Sequence, residues 1–317
     1  MSAWRRLRRK VLTPGVAATR MDVRGFHVKS AAAAERLETV GRTFLTGYAY
    51  AAEAKRPTDA EGPLEGVPAA FRGFAYEGAA MGLAMRDGLP GGGTRHVADF
   101  LRGRADRHVY MVYVGVGWAM ARLPRFRWST LHAPDPLLRW LVLDGYGFHQ
   151  AYFATRRYVH GQFREERFPW PGGHPYAANA IDQGIGRASW FVGGTDPAVV
   201  ADLFARFPEE RRADLWAGAG LAAAYAGGAS AEELRQLWDA AGDYRPELMQ
   251  GAAFAAAARV RADLTQPHTE LATEIFCGLS AVAAAKVTDE ARVDLPPDGA
   301  EPTFAIWRRR ISESLAK

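Results

Sequence analysis

The sequence predicts an all-α protein built of repeated helical hairpins, stacked as a solenoid or closed as an α/α toroid. Three observations predict it. First, a short phrase recurs: Asp144-Gly145-Tyr146-Gly147-Phe148-His149, Asp182-Gln183-Gly184-Ile185-Gly186-Arg187, Val114-Gly115-Val116-Gly117-Trp118 and Ala217-Gly218-Ala219-Gly220-Leu221, with weaker copies at Glu77-Gly78-Ala79-Ala80 and Gln250-Gly251-Ala252-Ala253. Second, the leading glycines at 78, 115, 145, 184, 218 and 251 are separated by 37, 30, 39, 34 and 33 residues, the length of one helical hairpin. Third, apolar residues between the phrases recur at helical spacing and stop at Gly/Pro signals.

The elements follow in order. Residues 1–30 form a basic segment broken by Thr13-Pro14-Gly15. Ala31 to Ala54 reads as a helix through Leu37, Val40, Phe44, Leu45 and Tyr48, and the Pro/Gly-rich stretch Arg56 to Pro68 reads as a loop. Phe71 to Asp87 is a helix with a stripe of Phe74, Gly78, Met81 and Met85, stopped by Asp87-Gly88-Leu89-Pro90-Gly91-Gly92-Gly93. His96 to Arg104 is a short helix. Val109 to Arg122 is β-branched and aromatic enough for a strand, but its place in the repeat predicts helix. Pro124 to Pro136 is a loop. Phe148 to Phe163 reads as one long helix with Phe148, Tyr152, Phe153 and Tyr158 facing a partner surface. A helix starts near Asp182 and ends at Gly193-Gly194.

From Pro197 the pattern is clearest: hairpins 197–207 with 209–226 and 231–241 with 246–262, in which Arg212 aligns with Arg245 and Asp214-Leu215 with Glu247-Leu248. Ser230 and Glu233 form a capping box. Pro267 to Lys286 reads as one helix with Leu271, Ile275, Leu279 and Val282 on a stripe, and Phe304 to Leu315 as a short basic helix. Residues 31–317 are thus expected to form a single helical repeat domain.

Composition narrows the function. The chain has 317 residues, 48% of them hydrophobic, which suits a globular protein with a large core. The single cysteine, Cys277, excludes an internal disulfide framework and fits a cytoplasmic protein. A net charge of +5 with scattered arginines does not make a nucleic-acid-binding face. The longest uncharged run, Leu215 to Ala231, is too short and too rich in Gly and Ala to span a bilayer. The basic stretch Trp4 to Leu12 has the pattern of a short amphipathic helix able to touch a membrane or an acidic partner; a fraying, solvated terminus is the plainer reading.

Several phrases carry a family resemblance. Phe71-Arg-Gly-Phe-Ala-Tyr-Glu-Gly-Ala-Ala-Met81, Tyr113-Val-Gly-Val-Gly-Trp-Ala-Met-Ala-Arg-Leu123, Asp144 to His149, Asp182 to Arg187 and the run Arg211 to Gly228 resemble a bacterial domain-of-unknown-function family associated with enediyne antibiotic gene clusters of actinomycetes. The resemblance covers nearly the whole chain. It implies an accessory role in enediyne biosynthesis, acting on the linear polyene that an iterative polyketide synthase supplies for the diyne core. It supplies no catalytic residues.

The residues themselves suggest a site. Glu77, Asp144, His149, Asp182 and Arg187 are polar positions set among Gly and aromatic residues. If the phrases stack as equivalents, these side chains converge and supply acid/base or electrostatic chemistry. Otherwise the acids cap helices and Arg187 pairs with one of them. Tyr76, Trp118, Tyr146, Phe148, Trp190 and Trp216 would line a pocket for a hydrophobic polyene, or simply fill the core. The Gly-x-Gly units either permit close helix packing or clear space for a ligand at helix N-termini. No zinc or di-iron motif, phosphate loop, dinucleotide fingerprint or prenyl-cyclase aspartate motif is present, so the cofactor is left unassigned. Two functions follow: a polyene-modifying enzyme, or a non-catalytic protein that holds the intermediate or docks pathway enzymes.

Overall fold

The computed structural model describes residues 15–90, 93 and 95–317; the basic stretch Trp4 to Leu12 and the Gly91-Gly92 part of the expected linker lie outside them. Every regular element among the described residues is helical; the main helices are α1 (Ala31–Glu53), α2 (Ala69–Gly88), α3 (His96–Leu101), α4 (Val109–Met120), α5 (Trp140–Phe153), α6 (Ala177–Val192), α7 (Pro197–Ala205), α8 (Glu209–Ala226), α9 (Ala231–Ala241), α10 (Arg245–Arg261), α11 (Pro267–Cys277), α12 (Ala281–Glu290) and α13 (Thr303–Leu315), joined by loops and single helical turns. The chain divides into two compact units. The first holds the described residues up to Gly25 with Glu38–Tyr146; the second holds Phe26–Leu37 and Gly147–Lys317.

The Gly-x-Gly phrases explain how the helices pack. They lie in the bodies of α4, α5, α6 and α8, not at helix starts. At about 100° per residue, two glycines two positions apart point to nearly opposite faces. In α4 and in α8 the two glycines are accordingly met by two different helices. In the first unit a Cβ on Gly78 would strike the Phe44 carbonyl of α1, one on Gly115 the Glu77 carbonyl of α2, and ones on Gly117 and Gly145 the carbonyls of Val142 and Val114, all closer than the 3.0 Å that real Cβ atoms respect. In the second unit the same holds for Gly147 against Ile181, Gly186 against Leu215, Gly218 against Gln183, Gly220 against Leu248 and Gly251 against Ala217. Each glycine costs helix propensity of about 1 kcal/mol, offset by backbone approach that any Cβ would forbid. The glycines thus serve packing and not ligands at helix N-termini.

The aligned positions of the repeat make matching contacts. Arg72, Arg212 and Arg245 each stand six residues before a leading glycine. Each donates Nε to a carbonyl before its helix, at Val67 (3.2 Å), Phe207 (2.9 Å) and Trp238 (3.0 Å). In the second unit α6, α8, α10 and α12 pack in sequence, and α7, α9 and α11 pack in sequence alongside them. Ser230 and Glu233 form the expected capping box, and Asp196 caps α7 ahead of Pro197.

Four readings of the sequence are corrected. The stretch 57–65 is helical, as a 3₁₀ turn followed by Glu61–Glu65. The helix expected from Phe148 to Phe163 instead begins at Trp140, after Asp135 accepts from the amides of Leu137 (2.8 Å) and Leu138 (3.1 Å). It ends at Phe153, where Thr155 Oγ1 bonds back to the Ala151 carbonyl (2.8 Å), and a π turn follows at Arg156–His160. Phe148, Tyr152 and Tyr158 are buried, so they face no partner surface. The segment 267–286 is two helices bent by 64°, because Gly278 adopts φ 65° and Ser280 caps α12; Val282 is exposed, not on a buried stripe. The strand-like stretch 109–122 is the helix α4, as the repeat predicts. No single helix among the described residues is long and apolar enough to cross a membrane.

Candidate functional site

The five polar candidates are all buried, and none caps a helix: Glu77 lies in the body of α2, Asp144 and His149 in α5, Asp182 and Arg187 in α6. The expectation that the acids are helix caps is therefore corrected. Glu77 and Asp144 belong to the first unit, and His149, Asp182 and Arg187 to the second. Arg187 lies 5.1 Å from the Phe148 ring centre, and His149 packs on Phe153 at 4.7 Å.

Asp182 is held by two arginines. Arg211 donates Nε (3.0 Å) and Nη2 (2.6 Å) to its two oxygens, and Arg164 stands 3.7 Å away. Arg211 also donates Nη1 to the Gln162 carbonyl at 2.6 Å, so its own burial is compensated. Burial pushes the Asp182 carboxyl up to about 6, while Arg211 pulls it back down. The group is thus ionised at neutral pH and titrates just below it.

The six aromatic candidates are core residues. Tyr76 stacks on His108 (3.8 Å between centres) and donates its hydroxyl to Glu65 at 2.6 Å. Trp118 packs on Phe44, Tyr146 on Trp128, Phe148 on Phe191 and Trp216 on Phe204. Trp190 donates Nε1 to the Gly227 carbonyl at 3.0 Å.

A polar cluster that the sequence reading missed lies in the second unit. Arg308 of α13 donates Nη1 to Asp214 of α8 (2.6 Å) and to the Tyr176 hydroxyl (2.8 Å), and Nε to the Gln250 side-chain oxygen of α10 (2.9 Å). Asn179 of α6 donates to the other Asp214 oxygen at 2.8 Å. The cluster lines a cavity of about 440 Å³, whose wall also includes Glu247. Burial raises the Glu247 carboxyl above the ordinary range, and it drives the Tyr176 hydroxyl up to about 12. An adjoining cleft of about 650 Å³ shares Tyr176 and Asn179 and is walled by Arg164 and His174.

Part of this cluster had a signal. Gln250 precedes its leading glycine as Glu77, Asp144 and Gln183 precede theirs, and all four side chains are buried. Nothing local marks Arg308, which reaches back 94 residues to Asp214.

Two His-containing clusters are structural. Asp87 accepts from His96 Nδ1 (2.7 Å) and from the amides of His96 and Val97, fixing the start of α3; Arg86 sits 2.9 Å from Nε2, which must then accept, so the ring has no free base. His268 sits 3.0 Å from the Tyr225 carbonyl, where Arg259 (2.7 Å) and Arg36 (2.5 Å, to Ala226) also serve the end of α8. Cys277 is half-buried, and burial pushes its thiol up to about 12, so it is unreactive. Among the described residues no group of three or more His, Cys, Asp and Glu side chains is placed to hold a metal ion.

A family of proteins of unknown function, DUF1702, matches the chain over residues 3–315. The chain belongs to this family. The match spans both units. No curated protein and no solved structure matches the chain.

Proposed function

We propose that this chain is a cytoplasmic accessory protein of enediyne natural-product biosynthesis that binds, without transforming, the hydrophobic polyene stage of the pathway. The sequence resemblance supplies the pathway. The observation that carries the choice of a binding role is the use made of the phrases. Their glycines let helix backbones touch, their aromatics fill cores, and Asp182 is neutralised by Arg211. Residues so engaged build a scaffold. Helical hairpins in a solenoid or toroid, the finer arrangement proposed here, present extended surfaces suited to partner recognition.

A second reading, a polyene-modifying enzyme, is favoured by one feature: a carboxylate at Asp182 that titrates near 6, within range of general acid/base work. Product titre in a producing strain separates the two. Deletion of the chain abolishes the enediyne product on either reading. Complementation with Glu77→Gln, Asp144→Asn, His149→Gln, Asp182→Asn or Arg187→Gln, each checked for folding, restores the titre if the role is binding. Loss of product from folded variants would support the enzyme.

A further inference from the structure

We infer that the 3₁₀ turn Arg125–Thr130, which follows α4 in the first unit, docks the chain on an anionic lipid surface, with Phe126 entering the headgroup layer and the arginines beside it meeting lipid phosphates. Phe126 is 79% exposed, and among the described residues the next most exposed large apolar side chain, Val293, reaches 62%. A phenylalanine held out in water forgoes the stabilisation that burial would supply. The turn itself is braced. Leu123 and Trp128, on either side of Phe126, are buried, and Trp128 donates Nε1 to the carbonyls of Met120 (3.1 Å) and Leu123 (3.2 Å). Arg127 donates Nε to the Gly88 carbonyl at the end of α2 (2.6 Å), and Thr130 donates its hydroxyl to the Arg127 carbonyl (2.7 Å). These bonds fix the backbone on both sides of Phe126, so its exposure is built into the turn.

Charge selects the partner. Arg122, Arg125 and Arg127 fall within six residues, and no Asp or Glu occurs between Asp106 and Asp135. Arg122 and Arg125 are exposed, whereas Asp135 is turned onto the amides of Leu137 and Leu138. An aromatic side chain flanked by exposed arginines matches the boundary of an anionic bilayer, where the ring reaches the acyl chains and the guanidiniums reach the phosphates. A protein partner would call for a cluster of apolar anchors. Phe126 is the one large apolar side chain exposed on this turn. Docking of this kind sets where the chain sits and does not depend on what it carries.

Flotation of the full chain with lipid vesicles tests the assignment. Vesicles of equal parts phosphatidylglycerol and phosphatidylcholine are expected to bind it at least about tenfold more tightly than phosphatidylcholine alone, since each arginine near an anionic surface contributes about fivefold. Phe126→Ala and Arg125→Glu are each expected to weaken that binding about fivefold or more, while Phe126→Trp keeps it. Both positions are exposed, so the variants should melt with the unaltered chain; should one fail to fold, the other decides. Failure to bind anionic vesicles, the outcome if the turn serves an acidic protein instead, overturns the inference. So does equal binding to neutral and anionic vesicles. Unchanged binding by folded Phe126→Ala and Arg125→Glu, the outcome if the basic stretch Trp4 to Leu12 makes the contact, overturns it as well.

Discussion

At the scale of single residues, the buried charges are the features with the sharpest consequences. Asp182 is lifted by burial and lowered by Arg211. Removing the arginine must therefore raise the carboxyl further, and a carboxyl ¹³C titration of Arg211→Ala should find the Asp182 midpoint above that of the unaltered chain. A fall, or no change, would mean that burial and pairing have been weighed wrongly. The sign for stability is the reverse of an ordinary ion-paired acid. A folded value near 6 against 3.8 unfolded means that this group gains stability as pH falls from above 6 towards 3.8.

His268 works in the opposite direction. Burial, with Arg36 beside it, lowers its pKa from 6.5 to about 4, so the folded chain holds it neutral. Its contribution is complete above pH 6.5 and is lost as pH falls towards 4, by roughly 2–3 kcal/mol. Denaturant unfolding at several pH values should show that slope, and His268→Gln should remove it. The Asp214–Arg308 pair offers a third check. Asp214→Ala strands a buried guanidinium and should cost about 3–5 kcal/mol in unfolding free energy, whereas an exposed pair such as Lys286–Glu290 should cost less than about 1.

At the scale of elements, the glycine phrase is the unit of packing. Gly186→Ala and Gly218→Ala each push a methyl into a neighbouring helix backbone, so each should destabilise the chain by about 2 kcal/mol or more. Gly62 has nothing within 4 Å of its missing Cβ, so Gly62→Ala should be neutral or slightly stabilising. Comparable melting temperatures for all three variants would sink the packing account.

Much at this scale was legible in the sequence. The hairpins from Pro197 to Arg261 announce themselves through Pro at helix starts, the Ser230 cap and Gly at helix ends, all local signals. The boundaries of α5 were not legible. A phrase placed mid-helix looks the same as one at a helix start, and the back-bond from Thr155 depends on a hydroxyl rotamer that spacing does not reveal. The break at Gly278 was readable in principle, since glycine followed by Ser280 is a stop and then a cap.

At the scale of the whole molecule, the chain's pattern belongs to the DUF1702 family from residue 3 to 315, while its contacts divide it into two units. The candidate chemistry was less legible than the fold for this reason. Sequence reasoning grouped polar residues by their place in the repeat, and that rule spread them over both units: Glu77 and Asp144 in one, His149, Asp182 and Arg187 in the other. The cavity cluster obeys a different rule. Tyr176, Asn179, Asp214, Gln250 and Arg308 come from one loop end and four helices, and no spacing connects them. Only Gln250, by its place before a leading glycine, carried a mark that could have been read.

The central claim is that the chain binds a polyene without transforming it. The most direct test is to titrate the purified protein into the synthase-derived polyene and follow the polyene absorbance, with and without added metal and reductant. The account predicts a saturable red shift with the polyene recovered intact under every condition. Loss of the polyene bands with the appearance of a defined product would contradict it and make the chain an enzyme.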